Sequence, residues 1–157
     1  AYRLGRDLPA RERGYAEEEI AGAVAEVVVA IEICDTRLAD WGTASDLWKL
    51  ADFQNNAALV VGTGTREWRA IDFIAQRAEL IVDGRPLVEV TSAHPFGDPF
   101  RLMPWIAAHC SRRTGGLRAG DLVTTGSWGG VHYVQPGCDV LARFPGIGEA
   151  AVRIEAR

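Results

Sequence analysis

Glu32 is the residue whose type fits its sequence surroundings least well. It follows the apolar run 27–31, which predicts a strand covered on both faces, and another apolar residue comes after it. A carboxylate at that point is expected to lose part of its hydration, which is costly unless a cation lies beside it. Arg37 is one candidate cation, bound to Glu32 or to Asp35, and a divalent metal is the other. A metal would need further oxygen ligands, to which Asp35 and Asp40 could contribute.

The glycine-rich segment 124–130 is a second candidate site, and it follows a predicted strand. Glycine lets the backbone approach a ligand closely, and exposed N–H groups form an anion site for a carboxylate. The same composition is also typical of an ordinary loop that ends a strand. Ser127 is not in a Gly-x-Ser-x-Gly nucleophile elbow, which argues against a serine hydrolase. Gly62 and Gly64 lack the rest of the dinucleotide-binding fingerprint, which argues against nucleotide binding.

Histidine and cysteine give little further indication of a site. None of His94, His109 and His132 has a partner three or four residues away, so each is expected to be a polar surface or hydrogen-bonded residue. His132 is the best exception, because it lies beside the glycine-rich segment. The three cysteines are odd in number and never at C-x-x-C spacing, so we expect reduced, mostly buried thiols, as in a cytoplasmic protein.

Two helices are expected in the scaffold that positions these residues. Residues 17–25 begin with three acidic side chains, which suit the positive end of a helix dipole. Residues 100–112 follow Asp98 as a candidate N-cap and Pro99 in the first turn. Pro104 lies inside this second segment and predicts a kink or a later start.

The remaining pattern predicts short strands. Asp83-Gly84 supplies the tight turn of a hairpin, and Pro86 at the start of the returning strand indicates a sheet edge. A strand at 59–61 is expected to end at Gly62-Thr63-Gly64. The spacing is typical of a meander or a barrel-like sheet, so we predict one β-rich α+β domain. The predicted strands are 27–31, 59–61, 80–82, 87–90, 122–125, 139–144 and 150–154.

Composition excludes several classes of protein. The chain has 157 residues, enough for one domain, and 17 basic against 21 acidic side chains give a formal charge of −4. That balance shows no basic face for nucleic acid. Hydrophobic residues at 48% and charged residues at 24% argue against disorder. Apolar runs such as 27–31 are far too short to span a bilayer.

Taken together, the segments resemble the 2-keto-4-pentenoate hydratase branch of the fumarylacetoacetate hydrolase superfamily. Residues 30–41 (AIEICDTRLADW) are similar to a family stretch aiEivDsRiadW, and residues 54–58 to a stretch containing aDNAS. The similarity continues in order at Gly97-Asp98-Pro99, at residues 117–127 (LRAGDLVTTGS) and at Phe144-Pro145-Gly146.

The resemblance implies a fold, a cofactor and site residues. The implied fold is a mixed β-sheet roll, barrel-like, with flanking helices. The implied cofactor is Mg²⁺ or Mn²⁺, held by a Glu-x-Glu pair and a later glutamate, which Glu32 matches. The cation would chelate a 2-oxo acid and stabilise the enolate-like charge. Thr125, Gly126 and Ser127 would lie beside the carboxylate or oxo group of the substrate.

Departures from the family pattern qualify these expectations. The Glu-x-Glu pair would stand just before Ala1, so we expect residues 1–157 to be the C-terminal part of a longer catalytic domain and to be inactive alone. Asn55 and Ala58 replace a family Asp and Ser, which puts substrate hydrogen bonding there in doubt.

The leading hypothesis is a cytoplasmic, homo-oligomeric hydratase of 2-hydroxy-2,4-dienoates in aromatic catabolism. Its partner would be the small-molecule 2-oxo or 2-hydroxy-dienoic acid, with no nucleic acid and no membrane. One alternative is a 2-oxo acid decarboxylase or acylpyruvate hydrolase of the same superfamily. The other is a truncated, non-catalytic binding or oligomerisation module.

Overall fold

The structure is a computed structural model that describes residues 1–155. Within this range the chain forms three α-helices and ten strands. The helices are α1 (Glu17–Ala23), α2 (Asp46–Ala51) and α3 (Met103–Arg113). The strands are β1 (Tyr2–Leu4), β2 (Leu8–Pro9), β3 (Val24–Cys34), β4 (Asn56–Thr65), β5 (Arg77–Val82), β6 (Arg85–Thr91), β7 (Gly116–Leu117), β8 (Leu122–Val123), β9 (Asp139–Phe144) and β10 (Gly148–Arg153).

Two four-stranded sheets and one short strand pair make up the β structure of residues 1–155. The first sheet has the order β4-β3-β1-β8, the second has the order β10-β9-β5-β6, and β2 pairs with β7. All of these pairings are antiparallel. The β-rich α+β class predicted from the sequence is confirmed, and within residues 1–155 the sheets form an open roll that does not close into a barrel.

β3 is the longest strand of residues 1–155 and lies in the interior of the first sheet. Its central residues Val27, Val28 and Val29 are all buried, as expected for an apolar run covered on both faces. It pairs with β1 on one side and with β4 on the other. Towards its end the pattern changes to alternating half-buried and exposed residues, so one face of the strand becomes accessible where Glu32 lies.

The prediction that β4 stops at Gly62-Thr63-Gly64 is wrong, because the strand continues through these residues to Thr65. The glycines are needed for packing instead. A Cβ atom added to Gly62 would lie 2.5 Å from the Cα of Ala150 on β10. A Cβ added to Gly64 would lie 2.7 Å from the Cα of Val28 on β3. The two sheets therefore meet closely where β4 crosses β10.

The hairpin and the second helix largely follow their sequence signals. β5 and β6 pair around Asp83 and Gly84, both with positive φ, and β6 is an edge strand, as Pro86 indicates. The Asp98 carboxylate caps a 3₁₀ turn at Pro99–Leu102 by accepting a hydrogen bond from the Phe100 amide at 2.8 Å. The α-helix itself starts at Met103, so Pro104 marks a later start rather than a kink.

The main core lies between the first sheet and helices α1 and α3. Tyr2, Leu4, Ile20 and Met103 are its largest fully buried side chains. Tyr2 also packs edge-on against Trp68, with ring centroids 5.6 Å apart. No helix in the described part of the chain is both long and apolar enough to cross a bilayer.

Candidate functional site

A cavity of about 640 Å³ lies between the two sheets and contains both candidate sites from the sequence. β3 contributes Glu32 to its lining, and the segment after β8 contributes Thr125, Gly126 and Ser127. These residues are more than 90 positions apart in the chain. The fold therefore brings the carboxylate and the glycine-rich segment to one cavity, which the sequence alone could not show without the family resemblance.

Glu32 is exposed to solvent in this cavity, so the expected desolvation of its carboxylate is wrong. The reason is the alternation at the end of β3, which turns this side chain away from the core. Its Oε1 accepts a hydrogen bond of 2.7 Å from Nδ2 of Asn56, the first residue of β4. Asn56 thus fixes one oxygen of the Glu32 carboxylate.

Arg37, proposed from the sequence as the cation beside Glu32 or Asp35, forms its ion pair with Asp52. Its Nε donates to the Asp52 carboxylate, and its Nη2 donates to the Asp52 and Asn56 carbonyl oxygens at 2.6 and 3.1 Å. Asp52 is buried and also accepts a hydrogen bond of 2.7 Å from the Thr36 hydroxyl. The Arg37 guanidinium and then the Thr36 hydroxyl hold the pKa of Asp52 below its usual value.

A left-handed turn links Asp52 to the start of β4. Phe53, Gln54 and Asn55 have φ values of 54°, 54° and 59°, in a region that non-glycine residues adopt rarely and at a cost. The Asn55 carbonyl accepts a hydrogen bond of 2.9 Å from the Asp35 amide, and Asn55 itself lines the cavity. Three successive strained residues are thus retained at the point where Asn56 reaches Glu32.

The glycine-rich segment has its own internal hydrogen bonds. The Ser127 hydroxyl accepts from the Gly130 amide and donates to the Gly130 carbonyl, both at 2.9 Å. Gly126 has φ = 115°, which an L side chain adopts only with strain. The segment therefore presents a shaped backbone rather than a free serine hydroxyl, which agrees with the argument against a serine nucleophile.

His132 lies in the cavity wall, but its ring interacts with the backbone of a neighbouring residue. Its Nε2 is 2.6 Å from the Gly129 carbonyl oxygen, and the residue is exposed. The histidine that the sequence did not single out, His94, is the buried one, with 5% of its surface exposed. It lies against Thr125 and Trp128. The only notable feature of His94 in the sequence is that it precedes Pro95, and this feature does not indicate a functional site.

Tyr2 is a second cavity residue that sequence reasoning missed. It is 1% exposed, lines the cavity, and its hydroxyl has no hydrogen-bond partner among residues 1–155. Burial, and then the Asp98 carboxylate, raise the pKa of Tyr2 above its usual value. Tyr2 therefore stays a neutral phenol and packs as part of the aromatic cluster with Trp68 and Phe100.

The described residues do not form a divalent-cation site by themselves. In residues 1–155 no group of three or more His, Cys, Asp or Glu side chains is arranged to hold a metal ion. Glu32 offers one carboxylate oxygen to the cavity, whereas Mg²⁺ requires near-octahedral oxygen coordination. The carboxylate of Asp52 is engaged by Arg37 and Thr36 and cannot serve.

Comparison with known proteins identifies the family. Residues 1–155 match the family described as fumarylacetoacetate (FAA) hydrolase C-terminal. The chain belongs to this family. It is 33% identical over 145 residues to a 2-keto-4-pentenoate hydratase of Burkholderia vietnamiensis, covering 92% of the chain and 54% of that protein. It is 30% identical over 153 residues to a 2-keto-4-pentenoate hydratase of Paraburkholderia xenovorans, covering 98% of the chain and 56% of that protein.

Comparison with solved structures shows that the chain shares their fold. A 4-oxalocrotonate decarboxylase from Pseudomonas putida, complexed with magnesium and adipate, has a TM-score of 0.79 at 18% identity. The superposition covers 97% of this chain and 57% of the decarboxylase. The chain thus has the FAA hydrolase-like fold, and it spans about half the length of the curated relatives that it matches.

Proposed function

We propose that this chain is the C-terminal part of a catalytic domain that hydrates 2-hydroxy-2,4-dienoates. The reaction adds one water to the dienoate and gives a 4-hydroxy-2-oxo acid, so it needs no oxidant or reductant. The observation that carries the proposal is the shared cavity of Glu32 and residues 125–127 in a chain about 30% identical to proteins named 2-keto-4-pentenoate hydratase.

In this proposal the two cavity walls have different tasks. The backbone at Thr125, Gly126 and Ser127 binds the carboxylate or oxo group of the substrate, since a shaped run of N–H groups suits an anion. Glu32 would contribute one oxygen ligand to Mg²⁺ or Mn²⁺, with its other carboxylate oxygen held by Asn56. The remaining ligands are proposed to lie outside residues 1–157, because residues 1–155 contain no complete set.

The decisive experiment measures hydration of 2-hydroxypenta-2,4-dienoate with Mg²⁺ by the protein translated from the whole reading frame. We expect turnover, and Glu32→Gln is expected to lower it by more than about 10-fold, since even residues that only support metal ligands cost that much. Glu26→Gln is the matched control: it lies on the same strand but pairs with Arg3 at 2.7 Å. Absence of turnover, or equal losses in the two variants, would contradict the proposal.

Binding of the metal can be tested separately on the 157-residue chain. We propose that this chain alone neither turns over substrate nor binds Mg²⁺ or Mn²⁺ at micromolar concentration, which calorimetry measures directly. Micromolar binding would show that residues 1–157 hold a complete site and would overturn this part of the proposal. Reading the codons upstream of Ala1 tests the same point, because an in-frame Glu-x-Glu pair is expected there.

A non-catalytic binding module is the second candidate function. The observation that favours it is the lack of a three-ligand group in residues 1–155. Asn55 and Ala58, which depart from the Asp and Ser that the family resemblance leads us to expect, agree with it. A start codon at the beginning of this chain, without an upstream Glu-x-Glu pair, would support the binding module and contradict the hydratase proposal.

We further propose that the protein is a cytoplasmic homo-oligomer. Supporting this, the short helix α2 and the turn after it leave large apolar side chains exposed, including Leu47 at 79% and Phe53 at 75%. Light scattering after size exclusion tests the oligomer, and a monomer at all concentrations would refute it. Leu47→Ser would then be expected to weaken association, whereas Leu87→Ser, at a 50% exposed position on β6, would not.

A further inference from the structure

The connection between β6 and the 3₁₀ turn contains one buried imidazole, His94. It is 5% exposed, whereas His132 is exposed and His109 is half-buried. Its ring is 5.4 Å from the Trp128 ring and 6.2 Å from the Phe96 ring, measured between centroids. A buried imidazole must have its ring nitrogens satisfied to be tolerated.

Both nitrogens of His94 are satisfied, and by groups of opposite kind. Nε2 lies 2.9 Å from the Thr125 carbonyl oxygen, which can only accept. Nδ1 lies 3.3 Å from the Phe96 amide, which can only donate. These partners assign the neutral tautomer with its proton on Nε2, since Nδ1 must offer its lone pair.

The residues that His94 holds belong to the glycine-rich segment. Its hydrogen bond fixes the Thr125 carbonyl, and its ring packs against Trp128 just after Ser127. Between those two points the backbone of Gly126 lies close to the ring, because a Cβ placed on Gly126 would lie 3.7 Å from Nε2 of His94. The imidazole thus supports the segment at both ends of residues 125–128.

We propose that His94 is a positioning residue that holds residues 125–127 in the conformation that binds the substrate's carboxylate or oxo group. It acts as a neutral imidazole that donates from Nε2 to the Thr125 carbonyl and touches no substrate. The statement that residues 125–127 bind substrate rests on the proposed function. The tautomer of His94 and its hydrogen bond to Thr125 do not depend on any activity.

The first test is the tautomer, measured by ¹⁵N NMR of the imidazole nitrogens in the unmodified 157-residue chain near neutral pH. We expect His94 to show a single Nε2–H form. An Nδ1–H form, or averaging between tautomers as for a solvent-exposed imidazole, would overturn the proposal. This measurement needs no variant to fold and no substrate.

The second test compares two variants of His94. Gln places an amide nitrogen near the position of Nε2 and can still donate to Thr125, whereas Phe keeps a ring against Trp128 and removes both hydrogen bonds. We expect the backbone amide shifts of residues 125–128 to change in His94→Phe and to stay near the parent values in His94→Gln. His109→Phe, whose ring stacks on Trp105 far along α3, is the control. Unchanged shifts in His94→Phe would refute the positioning role.

The third test uses kinetics of the whole protein. His94→Phe is expected to raise KM for the dienoate about tenfold, with a smaller effect on kcat, because one hydrogen bond positions the anion site. His94→Gln keeps a donor for that hydrogen bond, so its KM should stay close to that of the parent protein. Equal losses in the Phe and Gln variants, or a loss confined to kcat, would overturn the assignment. If the parent protein does not hydrate dienoates, the proposed function fails while the NMR outcomes still decide the role of His94.

Discussion

Replacing Gly62 by alanine tests whether the close meeting of β4 and β10 holds the two sheets together around the cavity. The new Cβ would lie 2.5 Å from the Cα and 2.7 Å from the Cβ of Ala150, and closer still to the Glu149 carbonyl oxygen. Ordinary contacts between carbon atoms lie at about 3.5–4.0 Å, so β10 would have to move by about 1 Å or more. Backbone atoms cannot turn aside as a flexible side chain can.

The expected cost follows from two contributions. Overpacking of a well-packed region costs about 1–3 kcal/mol. Movement of β10 also threatens two hydrogen bonds between Thr63 and Glu149, at 3.2 and 2.9 Å, worth about 0.5–1.5 kcal/mol each. Alanine also lowers the entropy of the unfolded chain, which offsets about 0.4–1 kcal/mol. We therefore expect Gly62→Ala to lower the free energy of unfolding by about 2–4 kcal/mol.

Urea unfolding followed by circular dichroism measures this difference. With a slope of about 1–3 kcal/mol per molar urea, the midpoint should fall by about 0.7–4 M. Gly42→Ala is the matched control, because its added Cβ meets only the Asp40 carboxylate at 3.4 Å and its φ is not positive. That variant carries the same entropy gain without the collision and should lie within about 0.5 kcal/mol of the parent or above it. A Gly62→Ala variant as stable as Gly42→Ala would refute the packing argument.

Three further predictions concern the core, the ion pair of the buried Asp52 carboxylate, and a cavity thiol. Met103→Ala should destabilise the fold by about 2–5 kcal/mol, because Met103 is 0% exposed. The control is Ile74→Ala, at a 63% exposed position between β4 and β5, which should change stability by less than about 0.5 kcal/mol; equal effects in urea unfolding would contradict the core assignment. Because the pKa of Asp52 is lowered, its ionised carboxylate stabilises the fold at pH values above the unfolded-state pKa of about 3.9, and this stabilisation is lost as the pH falls through the folded-state pKa. Arg37→Gln should therefore destabilise the protein more at pH 7 than at pH 3. A loss of stability that is the same at both pH values would contradict the role of the ion pair. Partial burial, and then a neighbouring carboxylate, raise the pKa of Cys34, so its alkylation by iodoacetamide at pH 8 should be slower than that of free cysteine although the residue is exposed; a faster reaction would be the contrary result.

The elements that local chemistry specifies were predictable from the sequence. Asp83-Gly84 supplies a turn with positive φ whatever surrounds it, and Asp98 with Pro99 starts a helical segment by caps and fixed φ. The glycines of β4 were misinterpreted because a glycine that ends a strand and a glycine that admits a neighbouring backbone look alike in sequence. Only the partner strand, β10, distinguishes Gly62 as the second kind.

The residues of the candidate site were proposed from the family resemblance and their roles stay predictions, whereas the contacts that support them could not be predicted. The order of motifs indicated Glu32 and residues 125–127, yet spacing alone placed Arg37 beside Glu32 or Asp35. Its actual partner, Asp52, is 15 residues away and is brought there by the left-handed turn that follows it. No propensity predicts three successive non-glycine residues with positive φ, because each is locally unfavourable and is retained only by the surrounding contacts.

The two walls of the cavity are supported in the same manner, from opposite sides. Asp52 and Arg37 hold the turn that delivers Asn56 to Glu32, and His94 holds the segment that carries residues 125–127. Each support depends on one buried polar group, Asp52 in the first wall and His94 in the second. Such a group is costly unless its hydrogen bonds are made, so it admits few alternative arrangements. Both walls are thus positioned by contacts within residues 1–155. A metal would need ligands besides Glu32, because residues 1–155 contain no complete set.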